Sequence, residues 1–492
     1  MEQVSQFTQV EDLRRLAPIL VACGFGILIM VVDPFVPAAR KHLMGRLGII
    51  GGFASLLSVW ISAEHMGHSY PDLPYAGLIQ VDYFSIFMFL ALFGFGFLTM
   101  LGSLDYLERE HLQQGEYYAL VLFATAGMAV MACAQELLTA FIGLEVSSIS
   151  SYILAGYRRG APKSNEAALK YFLLGSFATA FFLYGAAIIF GGAGSTQLEV
   201  IRARIQFNDQ TDARLLVLGI ALVLVGLAFK VAAAPFQFWT PDVYEGAPTP
   251  VTGLFASGPK AAAFAILVRV FYAAFGSFSE IWFWAISVSA VLTMFLGNLA
   301  ALVQTNVKRM LAYSSIAHAG YLLVAFAANS QLGVAALLFY ILTYALVKLG
   351  AFALLSHLGD TGERRLEIQD LAGLGRTHPL AAACMSVYML SLMGLPITAG
   401  FLGKLYILKA TLDAGLTGLA VILAVNSVIS AYYYLRVVRV MYFSEPSSTW
   451  SPAPVPYAVN AVMLVTSFLT VYLGLFPDAV KTLANLSANA LR

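Results

Sequence analysis

The chain has 492 residues, 60% hydrophobic and only 11% charged, with a mean hydropathy of +0.79 and a formal net charge of +1. A soluble domain is about half apolar and about 25% charged, so this balance excludes an ordinary soluble enzyme and a basic nucleic-acid binder, and fits a polytopic membrane protein. Cys23, Cys133 and Cys384 lie far apart with no CxxC pair, and the sequence has neither GxGxxG after a strand nor GxxxxGK[ST], which argues against iron–sulfur, structural zinc and nucleotide sites.

At the start of the chain, "MEQVSQFTQVEDLRRL" mixes acidic and basic residues. It has no small-residue cleavage site after a short apolar core, so no cleaved signal peptide is expected. A membrane-spanning helix needs about 20 mostly apolar residues. Fourteen such runs follow, at 16–35, 47–65, 81–103, 117–135, 137–157, 167–190, 213–237, 250–274, 281–303, 310–328, 333–357, 379–410, 416–441 and 456–476. The polar stretch 191–213 is expected on the surface. Pro235 predicts a break in helix 7. The 379–410 run is too long for one straight span, and Gly394-Leu395-Pro396 predicts a break in helix 12. The two breaks are five helices apart. Helices 4–8 (117–274) and 9–13 (275–441) are therefore expected to be five-helix repeats, inverted because five is odd. Helices 1–3 (1–116) precede them and helix 14 (442–492) follows. The expected fold is an all-α polytopic membrane protein of about 14 transmembrane helices.

Lys and Arg favour cytoplasmic loops. Loop 1–2 carries Arg40, Lys41 and Arg46; loop 5–6 carries Arg158, Arg159 and Lys163; loop 9–10 carries Lys308 and Arg309; loop 11–12 carries Arg364, Arg365 and Arg376. Loop 6–7, with Arg202, Arg204 and Arg214, is the exception. Odd-numbered loops are expected to be cytoplasmic and both termini outside.

Against this apolar background stand deep ionisable residues. At about 1.5 Å of rise per residue, Glu145, Lys260 and Lys348 fall well inside helices 5, 8 and 11. Lys230 and Lys404 lie beside the breaks of helices 7 and 12. A charge at a helix centre costs about 2.5–3.5 kcal/mol on insertion scales. Five in one chain point to a shared task. A lysine balanced between desolvation and a neighbouring carboxylate can gain and lose a proton as a nearby charge moves. Several along the midplane make a relay, with broken helices opening a polar path beside it. Each residue also has a plainer reading. Lys170 and Lys409 can snorkel to headgroups. Glu145 and Lys230 can form a static ion pair. His318 in "SSIAHAGYLL" can be a hydrogen-bonded core residue or a proton carrier. Glu136 suits a helix start, where the dipole favours a carboxylate. The helix start after Pro396 turns a positive dipole end toward Lys404.

The segments "FIGLEVSSISSYILAG" (141–156), "EAALKYFLLG" (166–175), "FKVAAAPFQFWTPDVYEGAPTPVTGLFASGPKAAAF" (229–264), "NVKRMLAYSSIAHAGYLL" (306–323) and "LPITAGFLGKLYILKA" (395–410) together resemble the antiporter-like subunits of respiratory complex I, the proton-translocating NADH:quinone oxidoreductase. The likeness spans helices 3–13 and is strongest to the N type of the bacterial enzyme. "WTPDVYEGAPTPVT" is specific to it; the M and L types have a "PDAH" segment there, and the length without a long lateral helix excludes the L type. The resemblance implies that Glu145 and Lys230 are the family's charge pair, that Lys260 is the central relay lysine, and that Lys404 is the terminal one, where the M type has a glutamate. Lys170 and Lys348 match less closely. Gln237 stands where the family often has histidine, and glutamine cannot titrate.

The resemblance further implies a translocase subunit coupled to quinone reduction, with no redox chemistry on this chain. NAD, FMN, iron–sulfur clusters and quinone are then expected on other subunits. Partners are expected to be an M-type neighbour, small membrane subunits and lipid, in a bacterial inner membrane, with no nucleic acid. The alternatives are a subunit of a multi-subunit sodium/proton antiporter, against which "DVYEGAPTPVT" argues, a membrane-bound hydrogenase relative, and a non-transporting scaffold.

Overall fold

The computed structural model of the protein describes residues 11–68, 77–207, 211–445 and 453–491. Most of the N-terminal segment read for a signal peptide lies outside them. The protein is an α-helical membrane protein whose described residues add only a two-residue antiparallel ladder, Gly67–His68 against Gln80–Val81, and thirteen of the described helical segments are long and apolar enough to cross a membrane. They are built on α1 (Ala17–Val32), α2 (His42–Glu64), α3 (Tyr83–Arg109), α4 (Gly115–Cys133), α5 (Leu137–Ala155), α6 (Pro162–Ala193), α7a (Ala213–Val231), α8 (Thr249–Val268), α9 (Ser279–Leu302), α10 (Val307–Ala327), α11 (Gln331–Leu358), α13 (Thr417–Phe443) and α14 (Tyr457–Leu475). The remaining pass is divided between α12a (Pro379–Met393) and α12b (Ala399–Asp413), and α7a is continued after a gap by the short α7b (Trp239–Gly246).

Local chemistry sets the helix starts. Asp82 caps α3 by accepting from the Ser85 amide, Asp212 caps α7a, Asn306 caps α10 and Ser330 caps α11, each satisfying an orphan amide that a bilayer cannot. Glu136 caps α5 through the Thr139 amide, in line with its expected place. Two elements were not legible as helices. The 191–213 stretch contains the amphipathic helix Leu198–Phe207, and α14 is followed by another, Asp478–Asn489.

Both breaks occur where the sequence places them. α7a ends at Ala232, in the left-handed region at φ 61°, and α12a ends at Gly394, φ 94°. Ile397 in the second break also has φ 81°, an unfavourable conformation for a β-branched residue. The freed backbone of the first break is bonded by α9: the Ala234 amide donates to Thr293 Oγ1 (2.7 Å) and Ser289 Oγ donates to the Ala234 carbonyl (2.6 Å).

The loops sort into two sets. At one end Tyr106, Glu110, Arg158, Thr249, Lys308 and Glu363, from the odd-numbered connections, converge on one another. At the other end Asp82, Ala132 and Arg269 meet, and Glu136 bridges Gln197. This alternation is the one expected of helices that each cross once.

Candidate functional site

The deep lysines are buried among hydroxyls, phenols and freed carbonyls. Lys230, on the last turn of α7a and 6% exposed, donates to Ser148 Oγ (2.7 Å) and Tyr152 OH (3.3 Å) of α5. Lys260 in α8 donates to the carbonyl and to Oγ of Ser315, both at 2.6 Å. Tyr344 OH also donates to Ser315 Oγ (2.7 Å). Lys348, fully buried in α11, donates to the Leu311 carbonyl and to Ser314 Oγ, both at 2.9 Å. The Tyr344 ring lies near both ammonium groups, 5.7 Å from Lys260 Nζ and 5.5 Å from Lys348 Nζ, close enough for cation–π attraction.

From Lys348 the hydrogen bonds continue. Ser314 Oγ bonds Tyr434 OH (2.5 Å), Tyr434 OH bonds His318 Nε2 (2.9 Å), and His318 Nδ1 bonds Tyr340 OH (2.6 Å). Beyond it, Tyr321 packs edge-on against His318 with ring centroids 5.3 Å apart, and its face lies 5.0 Å from Lys404 Nζ. Lys404 reaches back across the second break and donates to the carbonyls of Leu392 and Met393, each at 2.9 Å, and to Ser427 Oγ at 2.7 Å. Its ammonium thus occupies the negative end of α12a, not the positive start of α12b that the sequence suggested. The carbonyls released by the break are its ligands, which is how a buried cation is tolerated there.

Three expectations need correction or sharpening. Glu145 and Lys230 are not an ion pair among the described residues: Lys230 is bonded to Ser148 and Tyr152, and the buried Glu145 Oε1 has no hydrogen-bond partner. Glu145, Ser148 and Tyr152 lie on one face of α5, so the carboxylate is one turn from the hydroxyl that holds the lysine. Lys170 is set apart from the midplane series. Its side chain is 40% exposed and paired with Glu166 (2.6 Å) and Asp242 (2.7 Å). Among the described residues, Gln237 lies buried in the first break with no hydrogen-bond partner for its Oε1.

Sequence reading missed the phenols and hydroxyls between the charges. A signal was present for some of them. Ser314, Ser315 and His318 share one motif at helical spacing, and Tyr340, Tyr344 and Lys348 recur every fourth residue on one face of α11. Tyr434, more than a hundred residues from Ser314 and His318 in sequence, is brought in only by tertiary packing. Also missed was Arg269, buried at the far end of helix 8 and paired with Asp82 at 2.7 Å.

Residues 134–430 match the family described as "NADH:quinone oxidoreductase/Mrp antiporter, TM". NADH-quinone oxidoreductase subunit N 1 of Solibacter usitatus is 45% identical over 490 residues, covering 99% of this chain and all of that one. Subunit N of Trichlorobacter lovleyi is 42% identical over 487 residues, 98% of each. Among solved structures, a chain of respiratory complex I from Thermus thermophilus with bound aureothin is 38% identical, with a TM-score of 0.79 over 94% of this chain and 98% of that chain. A chain of the Mrp complex from Dietzia sp. DQ12-45-1b superposes with a TM-score of 0.86 over 97% of each, at 22% identity; at that identity the likeness is one of fold.

Proposed function

Because the chain belongs to the NADH-quinone oxidoreductase subunit N family, we propose that its buried lysines are the proton path of a complex I membrane subunit. The protein is a subunit of the proton-pumping NADH:quinone oxidoreductase, with other membrane subunits of that complex as its partners. We place it in the inner membrane beside an M-type neighbour and small membrane subunits, with NAD, FMN, iron–sulfur clusters and quinone on other chains. Helices 4–8 and 9–13 are read as the two inverted repeats, each with one broken helix and a buried lysine at its break.

The observation that carries this reading is the unbroken set of side-chain hydrogen bonds from Lys348 through Ser314, Tyr434 and His318 to Tyr340. Lys260 is anchored on the adjacent Ser315. A neutral imidazole has one donor and one acceptor nitrogen. With a phenol at each nitrogen, His318 can accept a proton on one side and release one on the other. Lys230 and Glu145 form the input switch. Here Lys230 rests on Ser148, and swinging its ammonium to the carboxylate of Glu145 one turn away, whose Oε1 is unpartnered among the described residues, gives a second state in which a carboxylate faces the ammonium.

Glu145→Gln removes that second state. The expected result is an assembled complex that oxidises NADH more slowly under coupled conditions and pumps roughly a hundredfold less through this subunit, the lower end of the effect of losing a positioned acid–base group. The measurement is protons moved per NADH in membranes of matched complex content. Wild-type pumping by the assembled variant contradicts the switch, and sodium-dependent exchange without NADH oxidation would favour an antiporter.

We read the odd-numbered loops as cytoplasmic and both termini as periplasmic. Thr361, exposed in the loop after α11, tests this. The cysteine of Thr361→Cys should react with an impermeant thiol reagent in inside-out vesicles and stay unlabelled in intact spheroplasts. The reverse pattern inverts the topology.

A further inference from the structure

We infer that Lys308 and Arg309, consecutive at the start of α10, are a clasp that holds the short half-helix α7b and so positions the path between Lys230 and Lys260. α7b has eight residues, WTPDVYEG, bounded by the break on one side and the Ala247–Pro248 turn on the other. A helix this short does not hold itself in place. Its two charged residues, Asp242 and Glu245, lie one turn apart. Arg309 Nη1 bridges both, at 3.0 Å and 2.8 Å. Lys308 Nζ takes the Ala247 carbonyl (2.7 Å) just past the C-terminal end of α7b. Lys170 and Lys163 of α6 close the outer side of the cluster on Asp242 and Glu245. Arg309 and Lys308 thus reach from the second half of the protein onto the broken helix of the first.

What α7b holds explains why its position matters. Trp239, its first residue, stacks on Tyr171 with ring centroids 4.6 Å apart and donates to the Phe229 carbonyl (3.0 Å). The rings of Tyr171 and Phe229 both lie within 6 Å of Lys230 Nζ, at 5.6 and 5.9 Å. At the other end Tyr244 donates to the Phe255 carbonyl of α8 (3.0 Å), the helix that carries Lys260. Displacing α7b therefore shifts the aromatic wall of Lys230 and its connection to the Lys260 helix together.

The inference rests on the relay reading, and two measurements on the intact complex in membranes separate them: amide exchange of the peptide spanning 239–247, and protons pumped per NADH. Arg309→Met should raise exchange in that peptide roughly 5- to 30-fold, the effect of one or two lost interactions on a local opening, and lower pumping while NADH oxidation persists. Arg309→Lys keeps a charged donor on a shorter side chain without the planar guanidinium and should fall between. Unchanged exchange in Arg309→Met overturns the clasp. Raised exchange with wild-type pumping would show that α7b is held but does not position the path, which overturns the inference and leaves the relay reading to its own test, Glu145→Gln. Should Arg309→Met fail to assemble, Asp242→Asn, which removes one of the two bridged carboxylates, gives the same comparison, and unchanged exchange there also overturns the clasp.

Discussion

Lys404→Arg should abolish the proton transfer that passes through the second half of the protein, leaving an assembled complex that oxidises NADH but moves fewer protons for each one. Arginine is the informative replacement because the site is built for a cation. The ammonium donates to the Leu392 and Met393 carbonyls and to Ser427, and a guanidinium can satisfy the same acceptors. What it cannot do is give up its proton at any working pH. Lys404→Ala should lose pumping as well, and should also leave the Leu392 carbonyl without its donor and the Met393 carbonyl with only the long bond from Ser427 Oγ (3.4 Å), at a cost of about 1–3 kcal/mol for an unsatisfied buried group. A carboxylate can also carry a proton, so the M-type glutamate at this position would suggest that Lys404→Glu keeps part of the transfer. The geometry argues otherwise here, because an ionised carboxylate at this position would face two carbonyl oxygens. Lys404→Glu is therefore expected to be as impaired as Lys404→Ala. The measurement is the ratio of protons to NADH in membranes with matched complex content. Wild-type pumping by Lys404→Arg would make Lys404 a structural cation and move the end of the path elsewhere.

The parts of this architecture that were legible in the sequence are those in which composition must answer to the bilayer. Apolar runs announced the helices, and a lysine beside a proline announced each break, because both features are costly in hydrocarbon unless they serve something. Charge pairing was less legible. Glu145 and Lys230 suggested each other as opposite charges, yet Ser148 and Tyr152, uncharged and easily read as packing residues, are what Lys230 touches. The same blindness hid Tyr344 and Tyr434. A tyrosine in a transmembrane helix is common, and only the fold shows which ones stand between two titratable groups. The amphipathic helices Leu198–Phe207 and Asp478–Asn489 were missed because they are too short and too polar to register as spans. They lie outside the pattern that a hydropathy reading detects.

Glu363 should prove the most sensitive single position outside the membrane-spanning helices. In the sequence it stands only as part of a positively charged loop. In the structure its carboxylate accepts from Tyr106 OH (2.7 Å), from the amide and hydroxyl of Thr249 (2.8 and 2.7 Å) and from Lys308 Nζ (2.8 Å), with Arg158 at 3.6 Å. It ties α3, the start of α8, the start of α10 and two loops to one point. Burial pushes this carboxyl up, but the Lys308 ammonium and the Tyr106 and Thr249 donors outweigh it and hold it below the ordinary glutamate value. Glu363→Gln leaves Lys308 buried without its counter-charge, and breaking a buried pair on one side costs about 3–5 kcal/mol. The expected result is a lower level of assembled subunit and a lower midpoint of thermal inactivation. Lys308→Met should do the same from the other side. The double variant, with no buried charge to strand, should recover most of the loss. The pH dependence has a definite sign. A depressed carboxyl contributes its stability fully above its unfolded value, about 4.3, and loses it as pH falls through the lower folded value. Acidification in that window should therefore lower the wild-type midpoint more than that of the double variant. Thermal inactivation of the purified complex across this pH range tests both claims, and a double variant as unstable as the sum of the two single variants would show that Glu363 and Lys308 act independently.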